Sequence, residues 1–197
     1  MPVDTSNIEL REVLRFKEPE FTQLVQSLLL DDALIIPEST WLRDWEIEAT
    51  NQLGQALRQS FALRIGAFRG DKLIGWAHGF QESADSFIMA TSAVLPAYRR
   101  QGVYTRLARR VLERTREAGF QVVYSKHGVM NNPILIAKLK LGFTIAGMEV
   151  SDIHGLLVRM RYLFNERRTE VAEVRVGTRR ADSKILPLLG LREEEEQ

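Results

Sequence analysis

Residues 94–105 read VLPAYRRQGVYT, and the interpretation of the rest of the chain depends on them. Pro96 ends an apolar segment typical of a strand. A helix is predicted from Gly102 to Ala118, with one apolar face made of Val103, Leu107, Ala108, Val111 and Leu112. The first N–H groups of a helix lack partners and the macrodipole is positive there, so this junction is a potential anion site. Gly102 leaves room for an anion, Arg99 and Arg100 add charge, and a diphosphate is the natural candidate.

Two common phosphate loops are excluded at this junction. No Gly-Lys-Ser/Thr follows the loop, so it is not a Walker A loop, and a single Gly cannot make the G-x-G-x-x-G fingerprint of dinucleotide-binding folds. The residues alone leave a second interpretation open, in which the segment is an arginine-flanked helix start that binds nothing.

The flanking sequence predicts an α+β fold. Hydrophobic periodicity predicts strands at residues 8–14, 61–68, 72–81, 87–95, 120–124, 143–150 and 156–164. Helices are predicted from Pro19, from Ser39 or Thr40, and from Asn131, in addition to the one that begins at Gly102. The order is β-αα-βββ-α-β-α-ββ, which predicts helices packed on a mixed, mostly antiparallel sheet.

The chain is expected to form one main domain with an extension. Residues 1–164 carry the predicted elements, and residues 165–197 form a C-terminal extension. Within that extension, Glu170–Val176 is interpreted as a possible extra strand and Glu193–Glu196 as a solvated acidic tail. The apolar segment Ile185–Leu191 is expected to pack on the domain or on a second subunit, which would make the protein a homodimer.

Composition excludes several classes of function. The 197 residues are 45% hydrophobic, with 27 Lys and Arg against 26 Asp and Glu, a balance that argues against a dedicated nucleic-acid binder. The chain has no Cys and three scattered His, so no metal site is expected. No apolar run is long enough for a membrane span and no signal peptide is evident, so a cytoplasmic location is expected.

Two motifs resemble those of the GNAT superfamily of acetyl-CoA-dependent N-acetyltransferases. Residues 99–104, RRQGVY, are similar to its R/Q-x-x-G-x-G/A loop, and residues 94–98 are similar to its V-x-P-x-Y approach to that loop. Residues 131–143 resemble its later motif, an Asn-led helix that ends K-x-G-F. The resemblance covers roughly residues 7–164, and the predicted order of elements matches the family's fold.

The resemblance implies an enzyme that moves an acetyl group from acetyl-CoA to an amine by direct attack in a ternary complex. The amine would belong to a small molecule or a peptide. The thioester would lie between the strand of Val94 and the strand of Tyr124, which separate in this family. The residues implied to bind acetyl-CoA are Val94, Leu95, Arg99, Arg100, Gln101, Gly102, Val103, Tyr104, Thr105 and Asn131. The alternative is a non-catalytic acyl-CoA-binding or interaction module with the same fold.

The sequence departs from the family at the expected catalytic positions. Many members place a Tyr five residues before the terminal Phe to protonate the leaving thiolate, and that position is Lys138 here. Lys138 is therefore a candidate proton donor, or else a solvated helix residue. No acid lies in residues 87–93, where other members carry a glutamate base. His127 is the remaining candidate base, with a locally bonded structural His as the alternative. His78, on an interior strand, is expected to be structural.

Overall fold

The computed structural model describes residues 7–30, 42–57 and 60–190. Its elements follow the predicted order, with one additional helix near the C-terminus. They are β1 (Ile8–Glu12), α1 (Glu20–Val25) with a π-helical turn (Gln26–Leu30), α2 (Asp44–Leu57), β2 (Ala62–Arg69), β3 (Lys72–Gln81), β4 (Ser86–Val94), α3 (Val103–Glu117), β5 (Val122–Gly128), α4 (Asn132–Lys140), β6 (Thr144–Ser151), β7 (Gly155–Leu163) and α5 (Glu166–Arg175).

Seven strands form one sheet in the order β1-β2-β3-β4-β5-β7-β6. The β1–β2, β2–β3, β3–β4 and β6–β7 pairs are antiparallel, whereas β4 and β5 are parallel. The predicted α+β class, with a mostly antiparallel sheet flanked by helices, is confirmed. Because β4 and β5 are parallel, their connection must cross the sheet, and α3 supplies that crossover.

Helices cover both faces of the sheet around β4. Trp76 and Ala93, opposite each other on β3 and β4, pack with Phe16 and with α1, where the Phe21 ring lies 5.2 Å from that of Trp76. Helix α3 buries Leu107 and its apolar neighbours against β2, β3 and β4. Ser92, the neighbour of Ala93, lies close enough to Tyr104 of α3 to lower the pKa of its hydroxyl. Because side chains alternate along a strand, α3 lies on the opposite face from α1.

The predicted strand at Glu170–Val176 is wrong, because these residues belong to α5 and the turn that follows it. The Asn165 side chain accepts a hydrogen bond from the Arg168 N–H at 3.2 Å and so caps the helix. An Asn cap followed by good helix formers outweighs the short alternation of Val174 and Val176 with polar residues. The chain divides into two compact units, one up to Tyr162 and one from Leu163.

Two further expectations fall outside the described residues. They are the start predicted for the second helix, at Ser39 or Thr40, and the acidic run Glu193–Glu196. The helical spacing of Trp45, Ala49 and Leu53 predicts an apolar face for that helix, but Trp45 is 64% exposed and Leu53 is 70% exposed, so neither is a core residue. Among the helices that the structure describes, none has the length and hydrophobicity of a membrane span.

Gly79 on β3 permits a close approach between strands. A Cβ built there would fall against the Ile88 carbonyl oxygen and within about 2.5 Å of the Phe87 ring. We expect Gly79→Ala to lower the free energy of unfolding by about 1–3 kcal/mol, measured by urea denaturation, because the strands must move apart.

Gly147→Ala on β6 is the matched control, because a Cβ at that position meets nothing within 4 Å. Equal stability of Gly79→Ala and Gly147→Ala would contradict the tight β3–β4 contact.

Candidate active site

The parallel pairing of β4 and β5 ends before either strand does. Its last pair is Met89 with Ser125, although β4 continues to Val94 and β5 to Gly128. On its other side β4 stays paired with β3, but the register skips Ala90, which forms a β-bulge. A bulge increases the local twist and bends the strand. Beyond Met89 the β5-facing edge of β4 is therefore open to a ligand. We call this opening the fork.

Lys138 is buried at the base of the fork. The side chain reaches from α4 and is fully buried, and its Nζ donates a hydrogen bond to Met89 Sδ at 2.9 Å. The Nζ also lies 4.0 Å from the centre of the Phe143 ring. Burial lowers the pKa of Lys138 from 10.5 to about 7, because the ammonium loses its hydration. At neutral pH the amine and ammonium forms are present in comparable amounts, so Lys138 can give or take a proton.

His127 lies beside Lys138, near the end of β5. Its Nε2 is 3.1 Å from Ser125 Oγ, at hydrogen-bond distance. Burial, and secondly the charge of Lys138, lower the pKa of His127 to about 4. The ring is therefore neutral at physiological pH and is a weak base there.

Side chains of the loop before α3 hold the loop itself. Arg99 Nε donates to the Val94 carbonyl at 2.9 Å, and Gln101 Nε2 donates to the Ala97 carbonyl at 2.9 Å. Arg100 has a φ of 60° and is exposed. Arg99 thus holds the loop in place and also supplies the positive charge expected of it. Arg100 lies at the surface.

The first turn of α3 is free to bind an anion. No side chain caps this turn, and the first bond of the helix runs from the Arg106 N–H to the Gly102 carbonyl at 3.0 Å. Within the described chain, the amides of Val103, Tyr104 and Thr105 are thus left for another acceptor. Gly102 has a φ of 78°, and a Cβ there would meet nothing within 4 Å, so the approach is open. These features fit a diphosphate.

One buried polar atom near this turn, Gln101 Oε1, has no hydrogen-bond partner in the part of the chain that the structure describes. Burial raises the pKa of Tyr104, and a weaker interaction with the Ser92 side chain of β4 lowers it, so the hydroxyl stays protonated. Buried polar groups are normally satisfied, so Gln101 Oε1 indicates a polar ligand beside this turn.

The other predicted binding residues occupy the edges of the fork. Val94 is buried at the end of β4, and Leu95 donates its N–H to the Ile74 carbonyl on the β3 side. Asn131 is exposed at the start of α4, and its side chain makes no capping bond. The fork thus gathers Lys138 and His127, while the predicted binding residues lie along β4 and at the starts of α3 and α4.

The partner of Lys138 was missed from the sequence. Met89 does not stand out there, because the bulge at Ala90 changes the alternation that would place its side chain. The apolar surroundings of Lys138 within PILIAKLKLGF were a usable signal, since a Lys in such a segment can be buried.

The comparisons with known proteins agree with this geometry. The family model described as "Acetyltransferase (GNAT) family" matches residues 25–143, more than half of the chain. The chain belongs to this family. As a GNAT member it is an acetyltransferase with acetyl-CoA as its co-substrate. No curated protein sequence gives a significant match.

Solved structures of low sequence identity share the GNAT fold. The Escherichia coli ribosomal-protein-S18-alanine N-acetyltransferase has a TM-score of 0.59 at 16% identity, covering 80% of this chain and 94% of its own. A Bacillus subtilis acetyltransferase in complex with CoA has a TM-score of 0.59 at 13% identity, covering 80% and 99%. A GNAT acetyltransferase from Elizabethkingia anophelis, with acetyl-CoA bound, has a TM-score of 0.57 at 14% identity, covering 81% and 100%.

Burial of Lys138 makes a testable contribution to stability. Between pH 7 and 10.5 the unfolded chain binds a proton at Lys138 that the folded chain does not, so the free energy of unfolding rises with pH. The rise is at most about 1.4 kcal/mol per pH unit, and the contribution is flat below pH 7. We expect Lys138→Met to remove this slope in urea denaturation between pH 6 and about pH 9.

Lys140→Met is the control, because Lys140 is exposed on the same helix and its loss should leave the slope unchanged. An identical slope in the wild type and Lys138→Met would contradict the burial of Lys138.

Proposed function

We propose that this acetyltransferase transfers the acetyl group of acetyl-CoA to an amine by direct attack in a ternary complex formed at the fork. The observation that carries the proposal is the combination of an open β4 edge, an uncapped α3 N-terminus and a buried lysine at the base of the same opening. The first two features suit an extended ligand with a diphosphate at one end, and the third supplies a proton where that ligand would react.

The binding of acetyl-CoA follows from the loop and the edge. The N–H groups of residues 101–105 would hold the diphosphate, with Arg100 adding charge from the surface. The open edge of β4 from Ala90 to Val94 would pair with the amides of the pantetheine arm, as a peptide pairs with a sheet edge. That arm would supply the hydrogen-bond partner that the buried Gln101 Oε1 lacks, Tyr104 would lie beside it, and Asn131 would contact it from α4.

Lys138 is assigned as the proton donor. The amine nitrogen forms a bond to the thioester carbonyl carbon and gives up one proton to a base. The carbon–sulfur bond breaks, and the thiolate takes a proton from the Lys138 ammonium to leave as CoA. A pKa of about 7 suits this role, since a general acid works best when its pKa is near the operating pH. The buried site also strengthens every charge interaction made there.

His127 is assigned a supporting role on the same side. A His with a pKa of about 4 is a poor acceptor for an amine proton at neutral pH. Because the ring is neutral, it carries no positive charge that would repel the Lys138 ammonium. We propose that His127, positioned by Ser125, offers a hydrogen bond to the leaving group.

The acceptor is proposed as a small-molecule or peptide amine. The Escherichia coli neighbour is named for an alanine of a ribosomal protein, which makes a peptide N-terminus one class to screen.

A homodimer formed through the C-terminal segment is also proposed, but with a smaller apolar surface than the sequence predicts for Ile185–Leu191. Ile185 is 1% exposed within the chain and therefore unavailable, whereas Leu188 is 51% exposed.

The diphosphate site is tested by charge at Gly102. We expect Gly102→Glu to weaken acetyl-CoA binding at least tenfold in titration calorimetry, because its carboxylate stands where the anion approaches. Gly102→Gln is the matched control, since it has a similar size and the same strain at a positive φ but no charge.

ADP provides the second comparison in that experiment. Acetyl-CoA should bind much more tightly than ADP, because the pantetheine arm adds contacts along β4. Unchanged affinity in Gly102→Glu would refute the site, and equal binding of ADP and acetyl-CoA would favour a general phosphate binder.

The proton donor is tested by kinetics. With an accepting amine, we expect Lys138→Met to lower kcat by about 10²-fold or more while acetyl-CoA still binds. In the wild type, kcat should fall as pH rises through about 7, because the ammonium form is lost. CoA release can be followed with a thiol reagent, since the protein has no Cys.

Lys140→Met should behave as the wild type. Acetyl-CoA binding with no transfer to any amine, in the wild type as in Lys138→Met, would support the non-catalytic module instead.

A further inference from the structure

We infer that His78 accepts the proton of the attacking amine, from the face of the sheet opposite to Lys138. This inference rests on the proposed function, because it takes the thioester to lie in the fork. It assigns a catalytic role to a residue that the sequence alone indicates to be structural.

The strand register puts His78 beside the fork. His78 on β3 is paired with Thr91 on β4, and the next pair along is Gly79 with Met89, because Ala90 bulges out between them. Thr91 and Met89 therefore flank the bulge at which the fork opens. His78 is one strand away from the β4 edge where the acyl group is proposed to bind.

His78 and Lys138 lie on opposite faces. Trp76 Nε1 donates to Thr91 Oγ1 at 3.4 Å, so Trp76, Thr91 and His78 share the α1 face. Lys138 contacts Met89, whose partner Gly79 follows His78 in β3 and so belongs to the other face. An amine that attacks from the α1 face would find His78, while the leaving sulfur would face Lys138.

Helix α1 covers this face of the sheet only as far as His78. Along β3, Trp76 is fully buried under α1, His78 is half-buried, and Phe80 is 40% exposed. These three side chains point to the same face, with the rings of His78 and Phe80 6.2 Å apart. His78 is thus the first side chain beyond α1 that a ligand can reach from solvent, within the described residues.

The charges around His78 favour a neutral, accepting imidazole. Burial, and secondly Arg64, which is paired with His78 from β2, lower the pKa of His78. On β4 the facing residue is the uncharged Thr91. Farther along, the Glu82 and Arg159 side chains neutralise each other at 2.7 Å, and Arg159 lies over the Tyr124 ring. Because the Glu82 carboxylate is held by Arg159, His78 is the uncharged base among these groups.

The step balances without a further reagent. As the amine nitrogen bonds to the carbonyl carbon, one N–H proton passes to the imidazole of His78. When the carbon–sulfur bond breaks, the thiolate takes a proton from Lys138. His78 then loses its proton to solvent, which the nearby Arg64 charge favours, and Lys138 regains one.

The test combines three variants of the full chain with two measurements. Transfer from acetyl-CoA to ethanolamine, spermidine and an alanine-initiated peptide is measured as CoA release against pH. We expect His78→Gln to lower kcat by about 10²-fold or more with acetyl-CoA affinity unchanged. The wild-type kcat/KM should fall at acidic pH, on the acid side of an ordinary histidine, because protonated His78 cannot accept a proton.

Arg64→Gln should move that acid limb to higher pH, since a cation beside His78 is removed. His154→Gln, at an exposed His in the β6–β7 turn, should match the wild type. A merely structural His78 would leave the limb unmoved in Arg64→Gln, and that result would overturn the inference.

An NMR titration of the three imidazoles keeps the test independent of the acceptor. His78, identified by its loss in His78→Gln, should shift on addition of acetyl-CoA while His154 does not. If acetyl-CoA binds and His78 is unaffected, the inference is wrong although the proposed cofactor site stands. If acetyl-CoA does not bind at all, the proposed function fails, and the inference fails with it.

Discussion

The structure depends on the bulge at Ala90 and on the end of the β4–β5 ladder beside it. The first three strand pairs and the β6–β7 pair are antiparallel and run along most of their strands. The parallel β4–β5 pair stops at Met89 and Ser125. Without that stop, the sheet would be closed and the open edge of β4 would be satisfied by β5. One extra residue in one strand therefore converts a continuous sheet into a sheet with a slot.

Elements on both faces of the sheet serve that slot. Helix α3 begins at one end of β4 with its first amides uncapped, and α4 contributes a fully buried lysine at the other end of the opening. A buried unpaired ammonium is costly, and such groups concentrate at functional sites because they are poised to exchange protons near neutral pH. The contact of Lys138 Nζ with a sulfur and an aromatic ring compensates only part of that cost. The site thus carries a stability penalty that a purely structural design would avoid by placing Met or Leu there.

Much of the fold was predictable, because it follows from local chemistry. Pro19, Gly102 and Asn131 mark helix starts, and Pro96 marks the end of a strand, at positions that the structure reproduces closely. The loop proposed to hold the diphosphate was equally visible, since a strand end, a glycine and a helix start mark it. The exception was α5, where the alternation of Val174 and Val176 with polar residues suggested a strand and the Asn165 cap was overlooked.

The groups proposed to be catalytic were harder to predict, because their placement depends on side-chain direction around the bulge. The alternation rule assigns faces correctly up to Ala90 and then shifts by one residue, so the sequence does not show that His78 and Lys138 lie on opposite sides of one strand. Burial of Lys138 and the half-exposure of His78 are properties of packing between distant segments. The suggested role of His127 as base met a similar limit, since its low pKa comes from burial and from Lys138, 11 positions away in sequence.

A crystal structure with a thioether analogue of acetyl-CoA, which cannot transfer its acetyl group, tests the central claim most directly. The diphosphate should lie on the amides of residues 101–105 and the pantetheine along β4 from Val94 to Ala90. The analogue's sulfur should lie on the Lys138 side and its carbonyl carbon should be open to the His78 side. Binding of the analogue outside the fork, or with its sulfur on the His78 face, would contradict the account.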